Sequence, residues 1–520
     1  MSAYAWICVG IIAYAIFMVV HGMSNFRSTS KSAESFFNAD RGVSSFMLVC
    51  TTLISAYSGL SYYGYPAQSY SNGIGYLVSG GCAITALLFC VIGYRLWILG
   101  KEYGFLTPSD YLRARYYSEG FGLFVGVLLI IFIIPYVAVQ LMTIGSGIEI
   151  ATGGLMPYLP AVLLGTVCVS LHIIGGGMKS VAWLDTFHTI LGLCAVYLVL
   201  AFLINHFFPE GGLVEAANIV ASNPETAPIL SVPGPKGYYT WKGLLNQGLT
   251  AAVGTVIWPH IFMRCYIAKG TKNFRIMSWA MPLGYAIIMF GLVIIGAIIA
   301  PAVLGPDFAD VDNLLPTLVS QYCPPIISFI SILCLFAFAV STADSMLLSA
   351  SAIASRDVYI HFAYDRAGKT ADSKQAVKFG RIVLVILMVV CIVVTMNKSE
   401  LITDYAYRLS SPFFTMILPC SIGGLFWRRG TKEGAIIGTV AGTIVTAIFT
   451  FVMTPPLGFS ALVWGLLINT ILYIVVSLCT KVPEEVVEKY ITRVAKIMAG
   501  NTEVMEISGS AVAGALKADK

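Results

Sequence analysis

Three ionisable positions stand out because they lie inside apolar stretches of the sequence. Asp185 is followed by His188 about one helical turn later, Asp344 comes shortly after the hydroxyl pair Ser341-Thr342, and His260 follows Pro259. An ionisable side chain at mid-membrane costs roughly 3 kcal/mol or more, so it usually faces a partner or a cavity. These positions are therefore candidates for binding a polar ligand.

The hydroxyl pair Ser341-Thr342 suggests a site for an alkali cation. Na⁺ is a hard cation that prefers oxygen ligands, and two hydroxyls facing an unwound helix can complete an oxygen cage. The residues alone leave two other interpretations open. The hydroxyls can bond back to carbonyls of their own helix, and Asp185 and Asp344 can form a protonated structural network.

The composition places these residues in a membrane protein. Of the 520 residues, 58% are hydrophobic and only 11% are charged, whereas a soluble domain is about 25% charged. The net charge of +5 does not indicate nucleic-acid binding, because the basic residues cluster in the connections between apolar runs. The chain contains no phosphate-binding loop or dinucleotide fingerprint, which argues against ATP-driven transport within it.

About thirteen apolar segments are long enough to span a bilayer, since a span needs roughly 20 apolar residues. With the N-terminus outside, the basic residues lie on the cytoplasmic side except Lys236, Lys242, Lys398 and Arg408, as the positive-inside rule requires. The C-terminus is then inside, and a tail helix from Pro483 onward is expected on the membrane surface. The predicted spans are 3–23, 44–72, 76–98, 121–149, 159–176, 181–206, 242–267, 276–303, 324–354, 378–396, 403–427, 433–453 and 461–480.

Two of these spans are poor continuous helices. Residues 51–61 of span 2 are rich in Ser, Thr and Gly, and Gly248, Gly254 and Pro259 interrupt span 7, with His260 directly after the proline. Paired interrupted helices in corresponding positions of two halves are typical of transporters with inverted repeats. Unwound backbone is tolerated in the membrane only where it lines a cavity.

The motifs on these spans resemble the sodium:solute symporter family. The likeness covers nearly the whole membrane region and is strongest at residues 107–112, 175–185, 259–264 and 340–345, with Arg356-Asp357. The resemblance implies an all-α integral membrane fold of the leucine-transporter type, with a 5+5 inverted-repeat core. It divides the chain into a leading helix and loop (1–43), a first half (44–206), an extracellular loop (207–241), a second half (242–427), two peripheral helices (428–480) and a cytoplasmic tail (481–520).

The resemblance also implies a set of site residues. The sodium ligands would be Ile54, Tyr57, Phe338, Ser341 and Thr342, with Asp185 and Asp344 supporting the site. The substrate residues would be Ser58, Ser61, Tyr136, Gln140 and Trp258.

Departures from the family pattern bear on the substrate. Proline-type members carry an aspartate where this chain has Ala56, and aromatic residues where it has Ala251 and Thr255. Residues 132–141 are more similar to the monocarboxylate and pantothenate branches. We therefore expect Na⁺-coupled uptake of a small organic solute such as a monocarboxylate, across the cell membrane, with Na⁺ as coupling ion.

Several alternatives remain at this stage. The same fold can be coupled to protons, or can take up an amino acid or pantothenate with Na⁺. A membrane sensor would need an appended signalling domain, and an enzyme would need more than the Asp185/His188 pair. Apart from the solute and the lipid bilayer, the sequence points to no nucleic acid and no obligate protein partner.

Overall fold

The computed structural model describes residues 3–79, 82–361, 373–396 and 405–500. Within these ranges the chain is helical, with one isolated bridge between Val43 and Ala268. The helices of the first part are α1 (Ala3–Ser24), α2 (Phe26–Thr29), α3 (Ala33–Asn38), α4 (Ser45–Ala56), α5 (Gly59–Asn72), α6 (Tyr76–Ser79), α7 (Cys82–Tyr103), α8 (Pro108–Arg115), α9 (Glu119–Ala151), α10 (Tyr158–Phe207) and α11 (Gly212–Ser222). Those of the second part are α12 (Trp241–Gly248), α13 (Pro259–Ile267), α14 (Thr271–Ile294), α15 (Ala300–Leu304), α16 (Leu314–Tyr322), α17 (Pro325–Ile353), α18 (Ser373–Thr395), α19 (Ser411–Thr415), α20 (Leu418–Phe426), α21 (Lys432–Phe451), α22 (Ala461–Cys479), α23 (Glu484–Val487) and α24 (Arg493–Met498).

Helices occupy the position of every predicted span within the described residues. Nine helical stretches of that part of the chain are long and apolar enough to cross a membrane. Spans 2 and 7 fall outside this set because each is divided, and spans 5 and 6 count once because they are joined in α10. Span 3, which corresponds to α7, is also not among the nine. The count of thirteen crossings and the direction of the two termini stay predictions.

The junction between spans 5 and 6 is a sharp break at Gly177. Its backbone has φ 51° and ψ −159°, a region that only glycine adopts readily. A Cβ atom at this position would lie 2.5 Å from the carbonyl oxygen of Phe36 in α3. The break therefore requires glycine both for its dihedral angles and for close packing.

We expect Gly177→Ala to lower the stability of the protein by roughly 1–3 kcal/mol, because alanine cannot adopt this backbone without strain. Thermal unfolding of the purified protein in detergent measures the effect. Gly120→Ala is a matched control, since no atom lies within 4 Å of the added Cβ there. Equal melting temperatures for the two variants would contradict the strain argument.

The leading helix α1 packs closely along α10. A Cβ at Gly22 would lie 2.6 Å from the backbone of His172, and the Thr29 hydroxyl, just beyond α1, donates to the carbonyl oxygen of Gly175 at 2.8 Å. The small residues at this contact allow the two backbones to approach each other, as at many helix interfaces in membranes. The helix thus lies directly against spans 5 and 6.

The C-terminal helical segment packs on the protein. Tyr490, Val494 and Ile497 are buried, and Arg493 forms an ion pair of 2.5 Å with Glu102 at the end of α7. These apolar residues are therefore covered by protein, and the position of the segment at the membrane surface stays a prediction. Residues 501–520 of the tail lie outside the described residues.

Candidate functional site

The predicted break in span 2 is present and divides the span into α4 and α5. Tyr57 has extended dihedral angles (φ −88°, ψ 111°), and Ser58 is the N-cap of α5. The amide of Ser58 donates to the Ser61 hydroxyl at 3.2 Å. Two predicted substrate residues therefore also take part in capping the second half-helix.

The Thr342 hydroxyl lies opposite this break. Its Oγ1 is 3.5 Å from the carbonyl oxygen of Tyr57 and 3.2 Å from that of Phe338, one turn back in α17. The carbonyl oxygen of Ser55, a residue that the sequence did not single out, is 3.4 Å away. Oxygens from both helices thus converge, and the contact with Phe338 is also the back-bond that the sequence left as an alternative.

The Ser341 hydroxyl has a different neighbour. Its Oγ lies 2.7 Å from Nδ1 of His188 in α10, and Nε2 of the same ring contacts the phenol of Tyr14 in α1. Asp185, one turn before His188, instead accepts hydrogen bonds from the hydroxyls of Thr51 and Ser55 in α4. Of the Asp185/His188 pair that the sequence noted, His188 therefore contacts the hydroxyl pair and Asp185 contacts span 2.

Asp185 is neutralised by a residue that the sequence analysis placed elsewhere. Arg264 was expected in a cytoplasmic loop with most of the other basic residues, but it lies in α13 with its side chain fully buried. Its guanidinium lies 3.3 Å from Asp185 and donates to the hydroxyls of Ser55 at 2.8 Å and Ser345 at 2.6 Å. A charge-based topology count does not distinguish such an arginine from a loop arginine.

Asp344 is paired with His172 rather than with the oxygens around Thr342. Nδ1 of His172 lies 2.6 Å from the Asp344 carboxylate, and Nε2 lies 3.0 Å from the Ser180 hydroxyl. That hydroxyl is 2.9 Å from His21 of α1. His172 was missed, although a histidine within an apolar span is itself a signal for a buried partner.

The aromatic residues predicted to bind substrate meet beside the break in span 7. That break lies at Trp258 (ψ 136°), directly before Pro259, because the residue before proline disfavours the helical region. The rings of Trp258 and Tyr136 form an edge-on pair with centroids 5.5 Å apart. Phe414 of α19 lies 6.4 Å from each ring.

Two polar groups connect this aromatic cluster to span 2. Gln140, one turn after Tyr136, accepts a hydrogen bond of 3.0 Å from the amide of Gly59 at the start of α5. Nε2 of His260 lies 3.1 Å from the carbonyl oxygen of Ser55. The two broken spans and α9 therefore meet at the predicted substrate residues.

Comparison with known proteins gives the family. A profile of the sodium:solute symporter family matches residues 36–442. The chain belongs to this family. It is a multi-pass protein of the cell membrane that couples the transport of a small solute to Na⁺.

Curated relatives of this symporter are similar over most of its length. It is 25% identical over 407 residues to the sodium/pantothenate symporter of Haemophilus influenzae, covering 77% of this chain and 81% of the relative. The sodium/pantothenate symporter of Escherichia coli is 24% identical, covering 89% of this chain and 95% of the relative. The sodium/proline symporter of Staphylococcus aureus strain JH9 is 22% identical, covering 94% of this chain and 95% of the relative.

Solved structures establish the fold of the symporter. A Na⁺-coupled sialic acid symporter superposes with a TM-score of 0.75 at 16% identity, covering 92% of this chain and 98% of that one. A nucleobase-cation-symport-1 family transporter superposes with a TM-score of 0.56 at 15% identity, covering 89% of this chain and 99% of that one. The fold is thus the leucine-transporter type, as the resemblance implied.

Proposed function

We propose that the sodium ion binds between the break in span 2 and α17. Its ligands are the carbonyl oxygens of Ile54, Tyr57 and Phe338 and the hydroxyls of Ser341 and Thr342. Neighbouring ligands of a hard cation with oxygen distances near 2.4 Å lie about 3.4 Å apart. The distances of 3.5 and 3.2 Å from Thr342 Oγ1 to the Tyr57 and Phe338 carbonyls match that spacing and are the observation that carries the proposal.

Na⁺ in this position stabilises the broken half-helices against α17. Because the same break carries Ser58, Ser61 and the Gly59 amide beside Gln140, sodium binding also organises the substrate side. Each ligand then raises the affinity for the other. The halves 44–206 and 242–427 rock around this point, while segments 1–43 and 428–480 pack outside them, 207–241 links the halves and 481–520 forms the tail.

The substrate is a small organic monoanion, in our proposal a monocarboxylate. The half-helices α5 and α13 both begin at this point, and helix N-termini favour negative charge. Nε1 of Trp258 is buried and has no hydrogen-bond partner among the described residues, so it can donate to a carboxylate. Ser58, Ser61, Tyr136 and Gln140 supply neutral polar contacts and no competing carboxylate.

Pantothenate is the second candidate. It is favoured by the two sodium/pantothenate symporters among the relatives, and it also carries a single carboxylate, so the same donors fit it. The transport cycle in either case needs no bond to be made or broken in the solute, and we propose no catalytic step.

The test is uptake of labelled solutes by proteoliposomes that contain the purified protein, with an inward Na⁺ gradient or with choline. Pyruvate, lactate, acetate, pantothenate and proline form the panel. We expect Na⁺-driven uptake of one of the four monoanions (pyruvate, lactate, acetate or pantothenate) and no uptake of proline. Na⁺-driven proline uptake alone would contradict the anion proposal, and uptake driven only by a pH gradient would contradict sodium coupling at this site.

Trp258→Phe should raise the KM for the transported anion by about tenfold, because a hydrogen bond to a charged group contributes roughly 1.5–3 kcal/mol and phenylalanine keeps the ring contact but loses the donor. Uptake kinetics at saturating Na⁺ measure the change. Trp241→Phe is the matched control, since that side chain is 66% exposed. An unchanged KM in the Trp258 variant would show that Nε1 does not bind the solute.

A further inference from the structure

The leading helix α1 reaches the proposed sodium site through two side chains. The phenol of Tyr14 contacts Nε2 of His188, and Nδ1 of His188 lies 2.7 Å from the Ser341 hydroxyl. Tyr14 is held in place by an edge-on contact with Phe336 of α17, with ring centroids 5.9 Å apart. A helix outside the two five-helix halves is thus joined to a residue that we assign to the ion.

Tyr14 and Ser341 contact the two nitrogens of one imidazole ring. In a neutral imidazole one nitrogen donates and the other accepts. A Tyr14 phenol that donates to Nε2 therefore places the ring proton on Nδ1. Nδ1 then donates to the Ser341 oxygen.

This direction affects how well Ser341 can bind a cation. When His188 donates to the Ser341 oxygen, it occupies one lone pair, fixes the orientation of the hydroxyl and leaves the other lone pair for an ion. In the opposite direction the hydroxyl proton would point toward His188, and the oxygen would present its lone pairs in a different direction. Groups behind the direct ligands of a metal commonly set its affinity in this way.

We propose that Tyr14 and His188 are positioning residues for the sodium ion, which makes α1 a determinant of Na⁺ affinity. The proposal rests on the sodium site proposed above, specifically on Ser341 as a ligand. It adds to that site two residues that do not touch the ion. Tyr14 selects the tautomer of His188, and His188 orients the Ser341 hydroxyl.

The test measures the half-saturating Na⁺ concentration of uptake at saturating solute, and separately the KM for solute at saturating Na⁺. Tyr14→Phe and His188→Leu should raise the half-saturating Na⁺ concentration by roughly tenfold, the lower end of the effect of residues that hold a metal ligand in place. The KM for solute at saturating Na⁺ should stay within about twofold of the wild-type value. Tyr4→Phe, on the same helix with a side chain 48% exposed, is the matched control.

His188→Asn and His188→Gln separate positioning from packing. The asparagine amide can take the place of Nδ1 and donate to Ser341, so its half-saturating Na⁺ concentration should stay close to that of the wild type. The glutamine amide reaches toward the Nε2 position instead and should behave like leucine. A loss of packing alone would lower the amount of active protein in both variants without this difference.

Ser341→Ala distinguishes failure of this proposal from failure of the sodium site. If Ser341→Ala raises the half-saturating Na⁺ concentration, Tyr14→Phe should have no further effect in that background. Wild-type Na⁺ activation in Tyr14→Phe and His188→Leu, with Ser341→Ala impaired, would overturn the positioning role and leave the sodium site standing. Wild-type Na⁺ activation in Ser341→Ala would overturn both.

Discussion

Replacing Ser341 and Thr342 together by alanine should abolish the stimulation of uptake by Na⁺ in the physiological range. Each hydroxyl contributes an interaction with a charged group worth about 1.5 kcal/mol or more, so the two together correspond to at least about 100-fold in sodium affinity. The measurement is initial uptake in proteoliposomes as a function of external Na⁺.

Ser349→Ala is the control for this pair. Ser349 is buried in the same helix, two turns beyond Ser341, and its hydroxyl donates to the carbonyl oxygen of Ser345 at 2.8 Å. The Ser349→Ala variant therefore removes a hydroxyl from the same helix without touching the proposed sodium ligands. Sodium activation that survives in the double variant as it does in Ser349→Ala would show that the ion binds elsewhere.

Arg264→Gln should destabilise the protein by roughly 3–5 kcal/mol, because it leaves the buried Asp185 carboxylate without its cationic partner. Combining it with Asp185→Asn should recover most of this loss, since neither charge then remains unpaired. Thermal unfolding of the purified protein in detergent, measured for both single variants and the double variant, gives the coupling between the two sites.

Arg356→Gln provides a comparison for the buried arginine. Arg356 also pairs with an aspartate, Asp110, at 3.4 Å, but its side chain is 34% exposed. Water can solvate that site after the substitution, so the loss of stability should be much smaller. Similar losses for the two arginines, or a double variant no more stable than Arg264→Gln, would contradict the buried-pair interpretation.

The helix positions and both breaks were predictable because they depend on local chemistry. Apolar runs locate spans, the Ser, Thr and Gly residues of 51–61 weaken a continuous helix, and Pro259 forces Trp258 out of the helical region. The sharp turn at Gly177 was predicted only as a short link, since the sequence does not show that the helices on either side meet without a loop.

The buried pairings were not predictable in the same way. Arg264 follows an apolar segment and precedes Lys269 and Lys272, so the positive-inside rule assigned it to a loop. Its true environment depends on Ser55, Asp185 and Ser345, which come from three other spans. Contacts between residues so distant in sequence require the packed structure.

The coordination of the ion by Ile54, Tyr57, Phe338, Ser341 and Thr342 remains a prediction from the family resemblance. The structure brings Thr342 near the carbonyls of Tyr57, Phe338 and Ser55, and it gives Ser341 a separate contact with His188. The geometry is thus compatible with an oxygen cage in a way that spacing along the chain could not establish.

The pairing of Arg264 with Asp185 bears on how transport responds to voltage. Because these two charges offset each other, neither would compensate the charge of a sodium ion bound at the proposed oxygens around Thr342. Moving that charge across the membrane changes its energy by about 2.3 kcal/mol per 100 mV. A cycle that carries one Na⁺ with one monoanion would then be electrically silent, whereas a second Na⁺ or a neutral solute would generate a current.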